Sequence, residues 1–345
     1  MTLLDGLELT GIHHVSSITS NLEANRDFYA RALGMRLVKK TVNQDATDVY
    51  HLFYADGLGS AGSDVTFFGF PSTPLNQPGA GEIAEYTLRV NNEASLAYWA
   101  ERFDTLGIEH QPLTERAGFT ALPFTDPEGQ RMALIADGDR ARTPGGTPWE
   151  KSTVPAEHGI TGLGTVSITT GRPDATLDLL TGIMGFRIIE DRPDSALPDN
   201  RTIILETGPG GPNATMIVNA RPNAPHARLG HGGVHHVAFR VPTYEAHTAW
   251  NDYLTNAGIG VTPVIDRFYF RAMYFREPGG VLFEISSDLP GFATDEPLKT
   301  MGESLALPPF LEPRRAEIES RIVPLDTSQS VTTREYGLAA EPVTS

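Results

Sequence analysis

Shifted by 151 positions, the chain falls onto itself. Trp99 lands on Trp250, Arg89-Val90 on Arg240-Val241, Gly107-Ile108 on Gly258-Ile259 and Pro112 on Pro263. The same register carries Arg116 onto Arg267, Phe119 onto Phe270, Pro127 onto Pro278, Gly129 onto Gly280 and Asp137 onto Asp288. Nearer the N-terminus it aligns Gly11 with Gly162, Val15-Ser16 with Val166-Ser167, Gly34 with Gly185, Arg36 with Arg187 and Pro71 with Pro222. This many identities in one fixed register mean an internal duplication, with halves over 8–140 and 159–290. Such a chain must build one architecture twice.

Each half doubles again. Residues 11–70 read as strand (IHHVSSIT), amphipathic helix (NLEANRDFYARAL) and three strands (GMRLVKKTV, VYHLFYA, DVTFFGF). Residues 82–137 repeat the order, with a helix expected from the spacing of Leu96, Trp99, Phe103 and Leu106. Short β-branched and aromatic runs punctuated by Gly and Pro give the strands. The expected class is α+β, with four β-α-β-β-β modules over 8–71, 81–138, 159–221 and 232–290. Segments 143–159 and 221–233 read as Pro- and Gly-rich linkers, and 291–345 as a C-terminal extension. A short helix is expected within 307–322, and 327–345 reads as mobile.

Composition removes whole classes of function. With no cysteine, disulfides, thiolate zinc sites, iron–sulfur clusters and a cysteine nucleophile are excluded. A net charge of −16, from 43 acids against 27 bases, repels nucleic acid and anionic lipid. No apolar run approaches the ~18 residues of a membrane span. The start, MTLLDGLELTG, lacks a basic segment followed by an apolar one, so a cytoplasmic location is expected.

The repeat is also an internal control on chemistry. Two strands carry adjacent histidines, His13-His14 and His235-His236. Their counterparts are Gly164-Thr165 and Ala84-Glu85, so the fold itself does not require imidazole there. Glu284 stands in a strand between Phe283 and Ile285, where the other half has Ala133. A carboxylate in an apolar strand is costly unless paired or bound to a metal. Two neutral imidazoles and a carboxylate form a facial triad that leaves positions open for substrate and dioxygen at Fe(II); the same donors admit Mn(II), Zn(II) or Co(II). Strand alternation predicts that His235 and His236 point to opposite faces.

IHHV, VHHVAF, GGVLFE and the four-module pattern resemble the vicinal-oxygen-chelate superfamily, which includes glyoxalase I, bleomycin-resistance proteins and extradiol dioxygenases. The chain looks most like the ring-cleaving dioxygenases of para-hydroquinones, with MGESLALPPFLEPRR of the tail included. The resemblance implies that the second histidine of each pair and the strand acid hold Fe(II), here His14, His236 and Glu284. It places His13, His235, Arg267 and Tyr274 around the metal, with Ser16 at a position that carries a small hydroxyl residue. His235 is expected to act as acid or base and Tyr274 to donate a hydrogen bond. Arg267 is expected to orient a substrate oxygen or the groups around the metal, although its counterpart Arg116 gives it an equal claim to a structural role; His13 is expected to take part in catalysis or to pack against and orient His14.

Because module one supplies His14 and module four the other two ligands, modules one and four should share an open barrel and two and three form an empty one. The stretch VTFFGF in the last strand of module one offers no carboxylate, which disfavours a four-ligand site of the glyoxalase I kind. The expected partners are a small aromatic diol, chlorinated or not, and O2, in a homo-oligomer. A glyoxalase-like isomerase or thiol transferase, or an aromatic-binding protein, is the alternative.

Overall fold

The computed structural model describes residues 7–197 and 199–337. Module one comprises β1 (Ile12–Thr19), a helix α1 (Leu22–Arg26) that widens into a π-helical turn (Asp27–Ala32), β2 (Arg36–Asn43), β3 (Ala46–Ala55) and β4 (Asp64–Gly69). Module two comprises β5 (Glu82–Val90), α2 (Glu93–Leu106), β6 (Thr114–Arg116), β7 (Phe119–Thr125) and β8 (Arg131–Ala136). Module three comprises β9 (Gly162–Thr170), α3 (Pro173–Gly182), β10 (Arg187–Pro193), β11 (Arg201–Glu206) and β12 (Thr215–Ala220). Module four comprises β13 (Gly233–Val241), α4 (Tyr244–Asn256), β14 (Ile265–Asp266), β15 (Arg271–Arg276) and β16 (Leu282–Ser287).

Local chemistry sets the helices. Asn92 caps α2 by accepting from the Ser95 N–H, and Gly107, at φ 68°, closes it in the left-handed region. Asn21 and Thr243 cap α1 and α4 in the same way. Leu96, Trp99 and Phe103 form the buried face of α2, while Trp250 and Leu254 do the same on α4. Each helix returns the chain so that the last strand of its module pairs in parallel with the first: β1–β4, β5–β8, β9–β12 and β13–β16.

The modules then pair across the halves. β1 runs antiparallel to β13 with Ser16 opposite His236, and β5 runs antiparallel to β9 with Ser167 opposite Glu85. These are the same pairing displaced by one repeat. Modules one and four make one eight-stranded portion of the sheet and modules two and three the other, joined where Val234 of β13 meets Ile83 of β5. The expected pairing of modules is therefore what the chain adopts. Two loops cross between the portions, with Gln77 and Arg228 exchanging backbone hydrogen bonds. A Cβ at Gly79 would meet the Pro225 carbonyl at 2.3 Å, and one at its repeat mate Gly230 would meet the Pro74 carbonyl at 2.0 Å, so the crossing needs glycine at both places.

The extension is part of the fold. Leu307, Leu311 and Ile318 pack on Val42 of β2. Lys39, fully buried, bonds Asp295 at 2.7 Å and also Glu296, while Lys40 donates to the Leu325 carbonyl. Helical turns occupy Glu312–Arg314 and Arg315–Glu319, inside the expected segment. The expectation of a mobile end is corrected for 327–337. Thr327 and Thr332 are buried, Arg31 donates to the Arg334 and Glu335 carbonyls, and the Tyr336 ring lies 6.5 Å from Phe28. The part of that expectation covering 338–345 lies outside the described residues. No helix among the described residues is long and apolar enough to cross a membrane.

Candidate metal centre

Three adjacent strands carry the three expected donors. In register, His14 of β1 stands beside Ala238 of β13, and Ala238 beside Glu284 of β16. The small Ala238 side chain lets His14 and Glu284 meet above it, and His236, two residues back on the same face, completes the group. His14 Nε2 lies 3.3 Å from His236 Nε2 and 3.5 Å from Glu284 Oε2, and His236 Nε2 lies 2.9 Å from the same oxygen. All three side chains are buried, Glu284 completely.

The second member of each histidine pair is explained by its neighbour. His14 Nδ1 lies 2.9 Å from His13 Nδ1, and His236 Nδ1 lies 2.7 Å from His235 Nδ1. A neutral imidazole that offers Nε2 to a metal carries its proton on Nδ1 and needs an acceptor there. His13 and His235 stand where that acceptor is needed. In that tautomer Nε2 of His14 and Nε2 of His236 present lone pairs beside Glu284 Oε2. The carboxylate oxygen accordingly has no aligned donor despite the short distances. Bonds of about 2.1 Å to one ion put neighbouring donors roughly 3 Å apart, which is the spacing found. The group fits a divalent metal.

Burial alone would raise the Glu284 carboxyl; the adjoining imidazoles outweigh it and hold the group well below the ordinary carboxylate range. Burial, followed by the adjacent metal-facing histidine, keeps His13 well below the usual imidazole value and His235 at about 3, so both stand neutral. Ser286 holds the other Glu284 oxygen at 2.5 Å.

A cavity of about 330 Å³ opens on the three donors. Its lining includes His235, Tyr274, Arg267, Phe53, Phe68 and Phe270. Because His51 of β3 and Tyr274 of β15 line one cavity, the sheet curls between them. Tyr274 lies opposite Glu284 in register, with its ring 5.8 Å from that of His236. Burial and then the charge of Glu284 push its hydroxyl well above the ordinary phenol value, so it stays a donor. Arg267 sits over the Tyr274 ring at 5.6 Å and bonds Asp45 at 2.9 Å, joining the β2–β3 turn to the β14–β15 loop at the mouth. His13 is close to the donors but does not line the cavity.

The repeat clarifies Arg267. Arg116, its mate, binds Glu85 at 2.8 Å, and Glu85 is the mate of His236. In the second barrel a guanidinium answers the carboxylate that stands in the position of His236. Thr66 occupies the place in module one that Glu284 takes in module four, since Ser16 opposes Thr66 as Ala238 opposes Glu284. A hydroxyl thus stands where a second carboxylate would make a fourth donor. The sequence reading missed His51, which lines the cavity and accepts or donates at Thr66 Oγ1, 2.9 Å away. The signal was present: its repeat mate is Thr202. It was overlooked because it has no histidine beside it.

The paired open barrels and the donors across β1, β13 and β16 define a class. The Glyoxalase/Bleomycin resistance protein/Dioxygenase superfamily matches residues 11–134 and 162–285, and the chain belongs to it. Over 319 residues it is 42% identical to the Bacillus subtilis protein named "Putative ring-cleaving dioxygenase MhqA", spanning 92% of this chain and 100% of the relative. It is 28% identical over 319 residues to the chlorohydroquinone/hydroquinone 1,2-dioxygenase of Sphingobium indicum, spanning 89% and 94%. The crystal structure of a Bacillus subtilis protein named "putative dioxygenase" superimposes with a TM-score of 0.82 at 34% identity, covering 95% of this chain and 99% of that one. Glyoxalase I from Zea mays shares the fold, with a TM-score of 0.57 at 13% identity, covering 81% and 92%.

Proposed function

We propose that this protein is an Fe(II)-dependent, extradiol-type ring-cleaving dioxygenase acting on a hydroquinone, chlorinated or not, with His14, His236 and Glu284 holding the metal. The observation that carries the reading is the convergence of His14 Nε2, His236 Nε2 and Glu284 Oε2 on an aromatic-walled cavity, in a chain related to proteins named for ring cleavage. Bound there, Fe(II) supplies Lewis acidity toward a phenol oxygen and a place where substrate and dioxygen meet.

The chain's own residues bind and orient. Phe53, Phe68 and Phe270 exclude water and present apolar surface to a planar ring. His235 accepts the His236 proton at Nδ1, which leaves its Nε2–H as a donor toward substrate. Tyr274 donates to substrate oxygen from the flank beside Glu284. Arg267 holds Tyr274 in place and closes the mouth through Asp45. In the overall reaction the bond between a hydroxyl-bearing ring carbon and its neighbour breaks. Both atoms of dioxygen enter the product, one in a carboxylate and one in a carbonyl. Glyoxalase-type isomerisation is the weaker reading, because Thr66 stands where a second carboxylate would be needed as fourth ligand.

The test is anaerobic loading with Fe(II), followed by hydroquinone or catechol under labelled dioxygen. Oxygen uptake with both labelled atoms in a ring-opened acid is expected. Uptake that yields only quinone and reduced oxygen, or none with any diol, would overturn the assignment.

A further inference from the structure

Beside the donor His14, module one brings a second imidazole, His51, to the cavity wall, and its surroundings hold it in place. Its ring centroid lies 4.0 Å from Phe53 and 4.2 Å from Phe68, so it cannot swing. Nε2 lies 2.9 Å from Thr66 Oγ1, and Thr66 Oγ1 lies 2.6 Å from Ser16 Oγ. Nδ1 has no hydrogen-bond partner among the described residues. It is not one of the sealed orphan atoms of the interior, and the residue lines the cavity, so Nδ1 opens on that space. Burial, then the nearby His14 and His236, hold the ring neutral, well below the usual imidazole value.

The sheet fixes where this group stands. From β1, which carries His14, the sheet passes to β4 and then to β3, which carries His51. From β13, which carries His236, it passes to β16 and then to β15, which carries Tyr274. His51 and Tyr274 thus occupy opposite flanks of the donors, each two strands out. In register His51 stands opposite Phe68, and Phe68 beside Ile18, so His51 lies two strands across and four residues along β1 from His14. Its side chain and the three donors face one cavity. The second barrel shows that the fold does not need this pair: Thr202 and Ile217 replace His51 and Thr66, while Ser167 keeps the serine. The matching place in the second barrel carries no imidazole.

We propose that His51 Nδ1 binds the substrate hydroxyl remote from the metal, and so selects para-diols over monophenols. The assignment rests on the hydroquinone reading and adds the group that recognises the second oxygen. The Thr66 hydroxyl can donate to or accept from Nε2, so either neutral tautomer of His51 is served. Nδ1 can therefore accept from a phenol or donate to a phenolate. Losing a buried hydrogen bond leaves the substrate hydroxyl unsatisfied.

The experiment is anaerobic calorimetric titration of the Fe(II)-loaded protein with hydroquinone and with phenol. The wild type is expected to bind hydroquinone about tenfold more tightly, the worth of one hydrogen bond. His51→Phe should bring the two dissociation constants together by weakening hydroquinone alone, with iron content unchanged. His51→Asn should restore part of the preference. Thr66→Val, which frees Nε2 without removing the ring, should shrink it by about threefold or more and serves if His51→Phe does not fold. An unchanged preference in iron-replete His51→Phe or Thr66→Val overturns the assignment, as does a parallel loss of both affinities. If the wild type consumes oxygen with hydroquinone while the preference does not move, only the role of His51 falls. If the wild type neither binds hydroquinone nor consumes oxygen with it, the hydroquinone reading falls and this one with it.

Discussion

Residue by residue, the site is a contrast between two copies of one scaffold. Where module four has His236, Tyr274 and Glu284, module two has Glu85, Pro123 and Ala133. That contrast singled out these positions before any coordinates, because the fold does not need them, and the structure brings His14, His236 and Glu284 together. It failed for Arg267, since Arg116 occupies the matching position. Only the packing shows that one guanidinium neutralises Glu85 while the other supports Tyr274. Tyr274→Phe follows from this arrangement. The ring and its contacts with Arg267 and His236 survive, so metal content should be unchanged. Turnover should fall about tenfold or more, as one transition-state hydrogen bond is worth ~1.4 kcal/mol or above. Steady-state oxygen uptake on iron-replete protein checks this; turnover at the wild-type rate would remove the hydroxyl from the mechanism.

Among elements, the strands were the most readable, since alternation and turn residues coincide, and β1 spans the stretch expected for it. The π-helical turn after α1 was not readable: a hydrogen bond from Leu33 N–H to the Phe28 carbonyl widens the helix, and nothing local in the sequence signals it. That turn carries Tyr29, whose hydroxyl lies 3.0 Å from that of Tyr86 on β5 and 3.2 Å from Asp126 Oδ2 in the β7–β8 turn. Asp126 also accepts from the Glu128 and Gln130 N–H groups. Its repeat mate Glu277 caps the corresponding turn, accepting from Gly279 and Val281. Burial raises Asp126 to about 6 from the ordinary 3.8. A carboxyl raised in the folded state favours folding when protonated. Its contribution is present below pH ~4 and lost as pH rises through about 6, on the order of 3 kcal/mol in all. Asp126→Asn keeps the Oδ1 acceptor and carries no charge. Its stability relative to wild type, measured by denaturant unfolding, should therefore rise between about pH 4 and 7. A difference that stays constant over that range would contradict the burial argument.

For the whole molecule, the two sequence halves are not the two functional units. Each barrel takes one module from each half, so the donors of one centre come from opposite ends of the chain, at His14 and at His236 and Glu284. This followed from the positions of the expected ligands alone. The docking of the extension did not, because its apolar residues follow no regular period and its partners lie far away in sequence. One clue stood in β2: adjacent lysines in a buried strand require anions or carbonyls, and Asp295, Glu296 and Leu325 provide them. Tyr269, a cavity residue, donates to Asp295, so the extension also braces the cavity wall.

The central claim, one metal held across the seam between modules one and four, is tested most directly by metal stoichiometry. Protein loaded anaerobically with Fe(II), desalted and assayed by elemental analysis should hold one iron per chain. His14→Ala, His236→Ala and Glu284→Ala, each folded by circular dichroism, should lose most of it, since each removes one of only three protein donors. Full iron content in any one of the three would contradict the account.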